Sequence, residues 1–140
     1  MLKTRLLHPE ILAALGEAGH GAQVLIADGN YPLATRSNPS CRRVYLNLAP
    51  GTVSATDVLG VLAVSVPIEA AEGMLTDDGV PPEIHREFQA LLPGVPLGAR
   101  ERLEFYEHAR GRDVALAIAT GEQRTYANVL LTIGVVQPDA

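Results

Sequence analysis

Apolar residues recur along the chain at two spacings, one helical and one extended, and the two alternate. Ile11, Leu12 and Leu15 share one face of a helix predicted over Pro9–Ala18. Pro9 suits the first helical position, where a missing N–H costs nothing, and Gly19 supplies the stop. Gln23–Ala27 is a short run of β-favouring residues and reads as a buried strand. Asp28-Gly29-Asn30 breaks it, and Tyr31–Ser40 follows as a long loop. Arg43–Leu48 alternates as a strand does. Ser54 is placed to cap a helix running to about Val64, with Val58, Leu59 and Leu62 on its apolar face. Pro67 ends that element, and Ile68–Leu75 reads as a strand. Helices are predicted over Pro82–Leu92, with Ile84, Phe88, Leu91 and Leu92 inward, and over Ala99–Ala109, with Leu103, Phe105 and Tyr106 partly buried. Asp113–Ala119 is a strand, Thr120–Thr125 a turn and Val129–Ile133 the last strand. Such alternation predicts a single α/β domain over 1–140, a mixed sheet flanked by helices in three layers.

Composition narrows the possible partners. With 140 residues, 47% of them hydrophobic, the chain can bury one core and is not a disordered segment. A net charge of -5 without any Lys/Arg run argues against nucleic acid and anionic membrane surfaces. The lone Cys41 excludes an intramolecular disulfide and suits a reducing compartment. Arg42 and Arg43 beside it would favour a thiolate, but no histidine lies near in sequence, so a bystander cysteine is the plainer reading. No signal peptide is read at the N-terminus, and the longest apolar stretch, around Val58–Val66, is too short to span a bilayer. A soluble cytoplasmic protein is expected. No CxxC, HxxxH or calcium-loop pattern occurs, nor any nucleotide-binding glycine motif, so neither a metal nor a cofactor is expected.

Three polar stretches carry the candidate chemistry. His20 stands between Gly19 and Gly21, which leave its imidazole unshielded. A group with an ordinary pKa of about 6.5 can pass protons near neutrality; the blander reading is a solvated histidine in a helix-to-strand turn. Asp28 follows a strand directly, where ligands of α/β sheets gather. It can accept hydrogen bonds from hydroxyls, or simply order its own turn. Arg102 opens the stretch RLEFYEHA and offers a planar fork of donors, though a surface arginine would look the same. In that stretch Phe105 and Tyr106 read more readily as core than as ligand platforms. Tyr126 and Asn128 lie two apart, so an extended backbone would project both to one face, or they are a polar entry to the final strand.

In order along the chain stand MLKT, LxxxGHG, a strand ending in Asp28 with Pro32 four residues on, RxxFYE, TGExxxYxN and a closing LLxxGV. Together these resemble the L-fucose mutarotase and D-ribose pyranase family over most of the chain. The resemblance implies His20 as the catalytic histidine and Asp28, Arg102, Tyr126 and Asn128 as sugar-binding residues. RxxFYE leans to the fucose branch, whereas Asp57–Ala71 looks somewhat like the ribose branch. Ala22 stands where fucose-type members commonly carry aspartate, and the segment before TGE is about two residues longer than in them, which leaves Arg100 as a fallback for Arg102.

The implied activity is an isomerase that opens and recloses the ring of a reducing monosaccharide, most simply an L-fucose mutarotase. D-ribose pyranase is the alternative within the family. A non-catalytic sugar-binding or transport-accessory module, and an assembly protein without ligand, are the rivals from other classes. A ring-like homo-oligomer, with a decamer as one form, is implied as well. Geometry adds a separate expectation. An extended Gln23–Ala27 would hold His20 and Asp28 roughly 20 Å apart, at about 3.3 Å per residue with its flanks. Either the GHG turn curls back, or the site combines His20 of one subunit with Asp28 of another.

Overall fold

A computed structural model describes residues 1–139. The short apolar runs become the centre of a sheet, because strands buried on both faces need no polar alternation. In chain order the elements are α1 (Pro9–Glu17), β1 (Gln23–Ala27), β2 (Arg42–Tyr45), α2 (Ala55–Ala63), β3 (Ile68–Met74), α3 (Ile84–Leu91), β4 (Leu97–Arg100), α4 (Arg102–Ala109), β5 (Val114–Ala119) and β6 (Val129–Ile133). The six strands form one mixed sheet in the order β2-β5-β1-β6-β3-β4. β1 and β2 run parallel to β5, and β3 runs parallel to β4. β6 is antiparallel to both β1 and β3. The carboxyl ends of five strands and the amino end of β6 therefore share one sheet edge.

The period-two direction of strand side chains divides the core in two. Val24 and Ile26 of β1 pack on one face with Ile11 and Ala14 of α1, Leu59 and Leu62 of α2, and Ile84 and Phe88 of α3. Leu25 and Ala27 face the other way, against Phe105 and Ala109 of α4 and the loop residues Tyr31 and Leu33. This is the expected three-layer α/β arrangement. Ser54 caps α2 as anticipated. Its hydroxyl accepts from the Asp57 N–H while the Asp57 carboxylate accepts from the Ser54 N–H.

Three expectations are corrected. The strand expected over Arg43–Leu48 runs only over Arg42–Tyr45: Tyr45 pairs with Ala119, where β5 ends, so the chain beyond has little strand left to pair with. The helix expected from Ala99 begins at Arg102, because Leu97–Arg100 adds to the sheet as an edge strand beside β3. Long-range pairing there overrides a local composition, including Gly98, that is poor for a strand. Leu103, expected to be partly buried, is 56% exposed, while Phe105 beside it is fully enclosed. On β3, Gly73 makes room for the His85 ring, with which a Cβ at that position would collide. His85 stacks on Phe88, and its buried Nε2 has no hydrogen-bond partner. Burial lowers its pKa, which favours the neutral ring.

Candidate functional site

The shared sheet edge gathers most of the polar candidates. Asp28 follows β1, Met74 ends β3, Arg102 begins α4, and Asn128 immediately precedes β6. These residues, with Tyr31, Tyr106 and Tyr126, line a cleft of about 280 Å³. That is slightly below the roughly 300–1,000 Å³ of pockets for drug-sized ligands, so it suits a small molecule.

Asp28 is almost fully enclosed, and two networks fix it. Its Oδ1 accepts the Asn30 N–H at 2.9 Å, which is the turn-ordering bond the sequence suggested. Its Oδ2 accepts the Ala127 N–H at 3.1 Å, and its own N–H donates to Asn128 Oδ1 at 2.7 Å. Asp28 is thus both a structural tie and a cleft residue. Burial raises its pKa, against the lowering effect of these hydrogen bonds. Asn128 Nδ2 lies 3.7 Å from the Met74 sulfur, a weak acceptor, and the same side chain also bonds to Asp28 and helps to keep its carboxylate charged.

Tyr126 does not sit on extended backbone, as the two-residue spacing had suggested. Its φ is 58°, the left-handed region, which costs a non-glycine residue about 1–3 kcal/mol. It nevertheless lines the same cleft as Asn128. Asp77 beside it, together with burial, pushes its phenol upward in pKa. Arg102 lies with its guanidinium carbon 5.7 Å from the Tyr106 ring centroid, and Arg36 is 5.5 Å from the same centroid. Arg100, the fallback, is engaged elsewhere: Nε donates to Glu72 Oε2 at 2.5 Å, and NH1 lies 3.6 Å from Glu104. Arg102 is the arginine that lines the cleft.

His20 is not in this cleft. Gly21 after it donates its N–H to Ile133 O, at the far end of β6. Its Nε2 lies 3.1 Å from Glu69 Oε1, near the start of β3. The five residues of β1 alone put about 17 Å between the two sheet edges. The GHG turn does not curl back, and within one chain four of the five candidates converge while His20 stays apart. Its side chain is 58% exposed, as the blander reading required, so it is accessible to a second molecule.

Sequence reasoning missed Tyr31, Met74 and Asp77, and read Tyr106 as core. Tyr106 had a usable signal, because a position four after Arg102 shares its helix face. Met74 and Asp77 had none, since only the fold brings the end of β3 to the start of β6. Thr120-Gly121-Glu122, which opens TGExxxYxN, supports the site from behind. Glu122 accepts the N–H of Ala55, at the start of α2, and the N–H, Nε and NH2 of Arg124; Arg124 also pairs with Glu87 of α3. Burial raises the Glu122 pKa, but the Arg124 and Ala55 bonds outweigh it and the net shift is downward from 4.5. A carboxyl depressed on folding adds stability above its unfolded pKa and loses it as pH falls through the folded value. The stability difference between wild type and Glu122→Gln should therefore be constant above pH 4.5 and shrink in acid, as read from urea midpoints across pH. A difference that grows in acid would contradict this assignment.

Among the described residues no group of three or more His, Cys, Asp or Glu is placed to hold a metal, and no helix is long and apolar enough to cross a membrane. The profile of the RbsD / FucU transport protein family matches residues 1–136. A D-ribose pyranase of Chloroflexus aggregans is 32% identical over 139 residues, covering 97% of this chain and 99% of that protein. The structure of Bacillus subtilis RbsD complexed with D-ribose superposes with a TM-score of 0.85 at 25% identity, covering 98% of this chain and 100% of the other. The fucose mutarotase of Streptococcus pneumoniae in complex with L-fucose superposes with a TM-score of 0.83 at 26% identity, covering 97% and 100%.

Proposed function

From the premise that the chain belongs to the RbsD / FucU transport protein family, we propose that it binds a reducing monosaccharide and interconverts its ring forms, with D-ribose as the first candidate substrate. The observation that carries this reading is the cleft itself, where Asp28, Arg102, Tyr126 and Asn128 converge from four separate parts of the fold. D-ribose pyranases are also the more frequent relatives of this chain at about equal identity. L-fucose anomer exchange is the second reading, and the placement of Arg102, the arginine of RxxFYE, favours it.

Ring opening takes a proton from the anomeric hydroxyl and gives one to the ring oxygen as the C–O bond breaks. The open-chain aldehyde recloses on either face, or through a different hydroxyl to change ring size. A proton carrier near neutral pKa held beside an oriented sugar suffices. In this reading Asp28 and Asn128 grip hydroxyls, Tyr126 and Arg102 orient the ring, and His20 of a second copy of the chain moves the proton. Such an arrangement makes the protein a homo-oligomer with its site between subunits.

Saturation-transfer NMR on D-ribose and L-fucose tests the activity. Faster exchange for one of them supports it and names the branch. Catalytic silence with calorimetric binding would leave a sugar-binding module instead. Arg102→Ala should raise KM by about tenfold with kcat little changed, because the lost contact holds ground and transition state alike. An unchanged KM would remove Arg102 from the sugar site.

A further inference from the structure

Helix α4 carries two cleft residues, Arg102 and Tyr106, yet it packs on the sheet through only Phe105 and Ala109 as buried residues. Eight residues with so little buried surface need another anchor to hold a guanidinium in one place. The anchor visible in the structure is a single carboxylate. Glu72 lies on β3, two residues before Met74 and on the same face of the sheet, beneath α4. Its Oε2 accepts Arg100 Nε at 2.5 Å, just before the helix, and its Oε1 lies 3.0 Å from His108 Nδ1, in the last turn. Arg100 also reaches Glu104 on the helix itself. At the amino end, Glu101 caps the helix by accepting the N–H groups of Leu103 and Glu104. One side chain thus ties the segments at both ends of α4 to the strand whose last residue floors the cleft.

We propose that Glu72 is a positioning residue of the cleft: by holding Arg100 and His108 it fixes α4 across β3 and so sets where Arg102 and Tyr106 meet the sugar. Glu72 is not among the residues that line the cleft and acts through the helix. Its side chain is 19% exposed, against 38% for Arg100 and 41% for His108, so the carboxylate is the sheltered centre of the cluster and its partners are its outer arms. Removing the centre frees both arms at once, whereas removing one arm leaves the other.

This rests on the reading above, in which Arg102 grips the sugar. Glu72→Ala should raise KM about three- to tenfold with kcat within about twofold, the pattern of lost uniform binding. His108→Ala should give a smaller rise, and Glu72→Gln, which keeps a carbonyl for Arg100, an intermediate one. A merely structural role would instead lower the melting temperature and the active fraction, hence kcat, at constant KM. In an Arg102→Ala background, Glu72→Ala should add much less than it does alone, since only its effect through Tyr106 remains. Fully additive losses would overturn the proposal. Crystals of Glu72→Ala give a readout that needs no activity: Arg102 should leave its place against Tyr106. If the wild-type protein exchanges no sugar, the functional reading fails while this displacement still decides the positioning role. An undisplaced Arg102 would overturn that role.

Discussion

His20→Ala should slow ring exchange by about 10²–10⁴-fold, the usual worth of a positioned proton carrier, while the fold and sugar binding persist. Among the described residues the polar partner of this imidazole is Glu69, and with side chains 58% and 46% exposed the pair contributes less than about 1 kcal/mol. Stability loss therefore cannot masquerade as lost chemistry. The sharper form of the experiment uses two inactive chains. His20→Ala keeps the cleft and lacks the carrier, whereas Asp28→Asn keeps the carrier and damages the cleft. If each site takes its histidine from a neighbouring chain, co-assembly of equal amounts should restore about a quarter of wild-type activity, the share of sites receiving both intact halves in a ring of heterologous contacts. A mixture as inactive as its parents would return the site to a single chain. An unchanged rate for His20→Ala alone would remove that residue from the mechanism.

Gly121→Ala should be the most damaging small substitution in the chain. A Cβ at Gly121 would collide with the backbone carbonyls of Ala49 and Thr52. Backbone cannot swing aside as the end of a side chain does. The glycine also donates its N–H to Val53 O and accepts the Gly51 N–H, so the two segments are already locked at close range. Overpacking typically costs about 1–3 kcal/mol, and a clash with main chain belongs at or above the top of that range. Because Gly29 N donates to Glu122 O, displacement of the Gly121 loop reaches the turn after β1 directly. The expected result is a lower thermal midpoint together with weaker sugar binding. A variant with native stability would mean that the 49–53 segment is far softer than its hydrogen bonds imply.

The contrast between what the sequence disclosed and what it hid has a physical basis. β1 and β6 were legible to the residue, because central strands are apolar on both faces and end at polar breaks. The Ser54 cap was legible because a capping box is written in four consecutive residues. β4 was hidden, since its residues become a strand only by pairing with β3. The same holds for the cleft. Residues in recognisable motifs could be named in advance, and four of them do meet. Met74 and Tyr31 belong to it through contacts that no local pattern encodes. The Glu72 cluster joins positions 28 and 36 residues apart, beyond any periodicity argument.

Asp28 and Asn128 do more than line a cleft, because the same residues also close the junction between β1 and the start of β6. Any change at either position is paid in folding as well as in recognition. Among the described residues, Arg102, Tyr106 and Met74 make no comparable side-chain bond to the main chain. Divergence toward a new sugar should therefore accumulate on the α4 and β3 side of the opening, with the opposite wall staying fixed. A designer seeking altered selectivity would randomise those three positions and leave the aspartate and the asparagine alone.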